Sequence, residues 1–169
     1  MNRRGWRRDQ GQEERTLVTI SLHHGSRAQL ADLFSEADDS ESEIARYRDL
    51  GAVLVARDGE EAIGHVQVVE TDAAGVFEIK SLAVSENRRS QGVGAALVAA
   101  ALEHCRERQG RSVQLATAAA SIEALKFYQR LGFRIQRVIR DFYSAERGYR
   151  PLLLNGIPLR DEVILDFAL

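Results

Sequence analysis

The residues of this chain best suited to chemistry are Arg89-Ser90-Gln91-Gly92-Val93-Gly94, a cation followed by two closely spaced glycines. A glycine-rich turn that opens a helix presents backbone N–H groups with no intrahelical partner. Those donors, at the positive end of the helix dipole, suit a phosphate or pyrophosphate. Gly92 and Gly94 let an anion approach where a Cβ would obstruct it. The flanking sequence fits such a turn. Val76 to Val84 mixes β-branched, aromatic and polar residues as a partly buried strand does, and Ala95 to Arg108 has strong helix formers and no Pro or Gly. The chain reads as built to hold a phosphorylated cofactor.

Spacing narrows the choice of cofactor. A dinucleotide fingerprint needs a third small residue where this chain has Leu97, and the Gly-Lys-Ser/Thr of a P-loop is absent. Arg89-x-x-Gly92-x-Gly94 instead resembles the pyrophosphate motif of the GNAT superfamily, the acyl-CoA-dependent N-acetyltransferases. A second stretch, Ser121-Ile-Glu-Ala-Leu-Lys-Phe-Tyr128-Gln-Arg-Leu-Gly-Phe133, is similar to the superfamily's Asn-x-x-Ala…Tyr…Gly-Phe segment. The resemblance covers residues 50 to 140 well and the ends loosely.

The resemblance implies an α+β fold: a mixed, mostly antiparallel central sheet with a splayed parallel strand pair and helices on both faces. It implies acetyl-CoA as co-substrate, with the pantetheine arm between the splayed strands and paired to backbone at Leu82, Ala83 and Val84. Amides from Arg89 through Ser90, Gln91, Gly92, Val93 and Gly94 to Ala95 would bind the pyrophosphate, with the Arg89 charge beside it; Arg88 reads as an exposed arginine. Ser121 stands where the family commonly has an Asn that contacts the cofactor arm. Serine is shorter, but its hydroxyl suits capping the following helix. Ser90 replaces a frequent glycine and Glu86 a frequent proline, and both changes look tolerable.

The reaction makes two demands. A lysine-like amine with pKa near ~10.4 is roughly 1 part in 2,500 neutral at pH 7, so the acceptor needs a base or a water relay. The departing thiolate benefits from a proton donor, and a tyrosine hydroxyl is protonated at neutral pH. Tyr128 sits where the family places this acid; the alternative is a half-buried tyrosine packing beside Phe127 and Leu131. Glu78, six residues before Val84, matches the base glutamate of some members. Strand alternation puts it on one face with Lys80, Leu82 and Val84. Its alternative is an ion pair near Lys80 or with an arginine across the sheet, with a water chain as the base, as in many members.

Elsewhere, residues 1–15 read as a flexible charged arm and 16–169 as one N-acetyltransferase domain. Strands are expected over Thr16–Leu22, Ala52–Ala56, Ala62–Val69, Val113–Thr117, Phe133–Tyr143 and Glu162–Phe167. Helices are expected over Arg27–Phe34, Glu41–Leu50 and Ser121–Leu131. Leu97, Ala101 and Cys105 recur at helical spacing, so Cys105 reads as a small packed hydrophobe. His23 and His24 read as a polar loop pair. No cysteine cluster, His-x-x-x-His pattern or carboxylate set suggests a metal. Net charge of −2 argues against general nucleic-acid binding, and there is no apolar run of membrane-spanning length or secretory signal, which makes the cytoplasm the expected compartment.

The acceptor is the least constrained part. The run Glu36-Ala-Asp-Asp-Ser-Glu-Ser-Glu43 carries five carboxylates in eight residues and would attract a cationic amine, although a solvated loop capping the next helix reads as well. Tyr143, Tyr149 and Arg150 lie in a loop that would roof the pocket. The expected acceptor is a small-molecule primary amine. The alternatives are a protein lysine or N-terminal acetyltransferase and a non-catalytic acyl-CoA-binding module, against which Tyr128 counts. The resemblance also admits a homodimer through the late strands, which nothing in the chain fixes.

Overall fold

The computed structural model describes residues 18–38 and 40–169; the arm assigned to residues 1–15, together with Thr16, Leu17 and Asp39, lies outside them. In chain order the elements are β1 (Val18–Leu22), α1 (Ala31–Ala37), α2 (Glu41–Tyr47), β2 (Ala52–Asp58), β3 (Glu61–Glu70) and β4 (Val76–Val84). They continue with α3 (Val93–Glu107), β5 (Ser112–Ala118), α4 (Ile122–Arg130), β6 (Arg134–Ile139), a small hairpin of β7 (Leu153–Leu154) and β8 (Ile157–Pro158), and β9 (Glu162–Ala168). Seven strands form one sheet in the order β1-β2-β3-β4-β5-β9-β6. Among the described residues only β4 and β5 run parallel. The expected α+β architecture is the one observed.

Hydrophobic patterning divides the core between the two faces of this sheet. Leu97, Ala101 and Cys105 are fully buried on one side of α3, against Val66, Val68, Phe77, Ile79 and Leu165. Burial pushes the Cys105 thiol up to about 11, consistent with its reading as a packed hydrophobe. On the opposite face Leu33, Phe34, Ile44 and Tyr47 of α1 and α2 cover Val53 and Val55 of β2. The carbonyls that end α2 are satisfied by Arg27, whose guanidinium donates to Arg48 O at 2.7 Å and Leu50 O at 2.6 Å, and by the buried Gln67 amide.

Two departures in this frame bear on the site. Gln67 pairs with Ser81 while Val68 pairs with Ile79, so Lys80 is the extra residue of a β-bulge in β4. The bulge resets the alternation. Leu82 and Val84 pack toward α3, whereas Glu78 lies on the α1–α2 face with Ser81 and Ala83, so the expected common face of Glu78, Leu82 and Val84 is corrected. The strand expected to reach Tyr143 stops at Ile139, because Asp141 takes a left-handed φ of 55° and its N–H turns onto the Asp161 carboxylate at 2.9 Å. The excursion that follows, expected as loop, contains the β7–β8 hairpin.

Candidate functional site

The parallel pair is short. Residues Val76 to Ile79 of β4 align with Ser112 to Leu115 of β5, and beyond that point the strands part. β4 keeps its bonds to β3 through Val84, and β5 keeps its bonds to β9 through Ala118. The result is a cleft in the middle of the sheet, with Leu82, Ala83 and Val84 along one wall. Their β3-facing edge is paired, and their other edge faces no strand among the described residues.

At the end of β4 the chain makes a 3-10 turn, Glu86–Arg88, and enters α3 through Arg89–Gly92. Ser90 has φ 62° and Gly92 φ 85°. These left-handed turns aim successive N–H groups the same way. The amides of Ser90, Gln91, Gly92, Val93, Gly94 and Ala95 donate to no acceptor among the described residues; the first helical bond comes from Ala96 N to Gly92 O at 3.0 Å. A Cβ built at Gly92 meets nothing within 4 Å, so the space over the amides is open. Such a row of free donors at a helix N-terminus has the chemistry to hold an anion.

Arg89 is placed differently from the expectation. Its guanidinium donates to Glu36 of α1 at 2.5 Å and to Val84 O at 3.0 Å, spanning from the turn to the α1–α2 face. Arg88, expected to be exposed, is half-buried and pairs with Asp58 at 2.6 Å, pinning the turn to the β2–β3 hairpin.

Helix α4 flanks the cleft from the α3 side. Its Tyr128 ring lies edge-on to Phe127 at 5.0 Å and to Phe133 at 5.8 Å, and burial raises its hydroxyl to about 12. The packing alternative is therefore real, yet the same burial keeps the phenol protonated at neutral pH. Ser121 stands at the α4 N-cap without a side-chain capping bond, contrary to the expectation. Its φ and ψ of −84° and 73° are not the extended values with which a cap hydroxyl reaches the first-turn amides.

The opposite mouth of the cleft is lined from α1, α2, β4, β9 and the excursion after β6. Glu78 and Lys80 pair at 3.1 Å, the ion-pair alternative raised from the sequence, and Lys80 lies 5.9 Å over the Tyr47 ring. Tyr47 lies beside Ser81 and Asp38, and burial, with the Asp38 charge, raises it to about 12. Tyr143 and Tyr149 meet edge to face at 4.9 Å; within the excursion itself, apart from β4 and β9, they line a cavity of about 360 Å³ with Pro151, Leu152, Leu153 and Leu159. The acidic run is structured as well as solvated. Ser40 caps α2 by accepting from Glu43 N, Glu36 holds Arg89, and Asp38 faces the tyrosines. Glu162, which sequence reasoning missed, is 7% exposed at the start of β9. A carboxylate opening a strand gave no local signal. No group of His, Cys, Asp and Glu able to hold a metal exists among the described residues, and no helix among them is long and apolar enough to cross a membrane.

Comparison with known proteins agrees with this geometry. The model of the acetyltransferase (GNAT) family matches residues 21–133. The uncharacterized N-acetyltransferase YvbK of Bacillus subtilis (strain 168) is 33% identical over 148 residues, 88% of this chain and 94% of that protein. Among solved structures, a Bacillus subtilis acetyltransferase in complex with CoA superposes with TM-score 0.82 at 32% identity, covering 90% of this chain and 99% of that one. A GNAT family acetyltransferase from Elizabethkingia anophelis with acetyl-CoA bound gives TM-score 0.83 at 28% identity, over 90% and 98% of the two chains.

Proposed function

The chain belongs to the acetyltransferase (GNAT) family, and from that premise we propose that it transfers the acetyl group of acetyl-CoA to a primary amine of a small-molecule acceptor, by direct attack within a ternary complex. The observation that carries this reading is the row of free amides from Ser90 to Ala95 beneath open space at Gly92. The residues fit the co-substrate: those amides take the pyrophosphate, the unpaired edge of Leu82, Ala83 and Val84 takes the amide groups of the pantetheine arm, and the Ser121 hydroxyl, free of any capping duty, is left to contact it. Acetyl-CoA supplies the activated acyl group as a thioester.

The chain's own residues then handle protons. Tyr128, kept neutral by burial, donates to the departing sulfur. Glu78 accepts the proton of the acceptor ammonium, directly or through water, with Lys80 at 3.1 Å holding its carboxylate in place.

Gly92→Asp tests the placement. A side chain is strained at φ 85°, and a negative charge enters the anion site, so acetyl-CoA affinity falls by about 10-fold or more. Calorimetry on folded variant and wild type reads it, and equal affinities contradict the placement. Thiol release across a panel of free amines and peptides then separates a small-molecule enzyme from a protein-modifying one.

A further inference from the structure

Glu162 is a buried carboxylate that the mechanism above does not use. It opens β9, between Ala118 of β5 and Ile139 of β6, level with the stretch where β4 and β5 have separated. Val163 and Leu165 point into the core beneath α3, so alternation sends Glu162 to the other face, that of Glu78 and the tyrosines. It makes no side-chain hydrogen bond or ion pair among the described residues. Nor are its oxygens among the sealed, partnerless atoms, which are Arg48 Nε, Asp58 Oδ1, His65 Nδ1 and Gln67 Oε1. The carboxylate is thus nearly buried but not sealed, on the face of the sheet that carries Glu78.

An unpaired buried carboxylate is costly to keep ionised unless a cation joins it. The surroundings do not supply one at contact distance. Burial pushes Glu162 up, Lys80, Arg147 and Arg137 oppose that from a distance, and Glu78 adds to it. The phenols of Tyr143 and Tyr149 face the same charge. A carboxylate whose charge acts on two neighbouring tyrosines is the chemistry that receives an alkylammonium: charge on the carboxylate, carbon stem against the rings.

We propose that Glu162 is the ammonium-binding residue of the acceptor site, selecting acceptors that carry a free primary ammonium on an apolar or aromatic stem. It rests on the transferase reading above and adds the specificity determinant; proton removal stays with Glu78.

The test uses the full chain loaded with CoA, with calorimetric binding of 2-phenylethylamine, tyramine, butylamine and cadaverine as protonated probes and aniline as a neutral one. Glu162→Gln weakens binding of the cationic probes by about 10-fold or more, the loss of a charge-assisted contact, and leaves aniline and acetyl-CoA affinities unchanged. Glu162→Asp recovers part of the loss. For any probe that turns over, the increase falls on KM rather than kcat. In wild type KM drops as pH rises through the elevated Glu162 range, and that dependence vanishes in Glu162→Gln. Unchanged cation binding in Glu162→Gln with acetyl-CoA affinity intact overturns the assignment alone, as does a CoA-loaded wild type that binds none of the cations. A wild type that binds neither acetyl-CoA nor CoA removes the transferase reading and this inference with it.

Discussion

At the scale of single residues, function and packing share the same atoms. Tyr128 braces Phe127 and Phe133 and is also the proton donor proposed for the leaving thiolate. Tyr128→Phe keeps the ring and removes only the hydroxyl. Turnover is expected to fall about 100-fold, within the range of general acid catalysis, with acetyl-CoA affinity nearly unchanged. Steady-state kinetics beside calorimetry check it, and undiminished kcat takes Tyr128 out of the chemistry. Ser90 shows the opposite balance. Its φ of 62° lies where an L-residue with a Cβ is strained and glycine is at ease. Ser90→Gly is expected to stabilise the fold by about 1 kcal/mol, read as a higher midpoint in chemical denaturation. A lower midpoint would mean that the serine side chain has a structural role of its own.

At the scale of elements, β3 and β4 carry a polar pair inside the α1–α2 face. His65 is fully buried, stacks 4.4 Å from the Phe34 ring, and shares a 2.8 Å hydrogen bond with Ser81 Oγ, while its Nδ1 has no partner. Burial lowers it from 6.5 to about 4. Above pH 6.5 both folded and unfolded chains hold it neutral, and its contribution is complete. As pH falls toward 4 the unfolded chain takes up a proton that the native state refuses, so up to about 3 kcal/mol is lost across that window. Denaturant titrations between pH 7 and pH 4.5 are expected to show that slope in wild type and a flatter one in His65→Asn; parallel slopes would mean that His65 is protonated in the native state. The same two strands mark the limit of what the sequence revealed. The glycine turn, β4 and the inward stripe of α3 were legible because each is a local pattern. The bulge at Lys80 was not, since one extra residue leaves no compositional trace yet moves Glu78 to the other face. Glu162 escaped for a related reason: its setting is made by strands and a loop distant in sequence.

At the scale of the whole molecule, the cleft divides two layers that one side chain joins. Arg89 leaves the glycine turn on the α3 side and reaches Glu36 of α1 on the other, at 2.5 Å, while also bonding the last carbonyl of β4. Helix α1 belongs to the layer of the proposed acceptor mouth, so this ion pair connects the proposed cofactor turn to the proposed acceptor side. The pair is partly exposed, and such contacts contribute little, on the order of 0.5 kcal/mol. A pyrophosphate carries more charge than one carboxylate and offers the guanidinium a stronger partner. If Arg89 turns to the diphosphate, Glu36 must release it, and the cost of release is deducted from binding. Glu36→Gln removes that competition, and acetyl-CoA affinity is expected to tighten by about twofold, with the gain absent in an Arg89→Ala background. Calorimetry on the single and double variants reads the coupling. Weaker binding in Glu36→Gln would reverse the assignment, making Glu36 a support that holds Arg89 toward the cofactor rather than a rival for it.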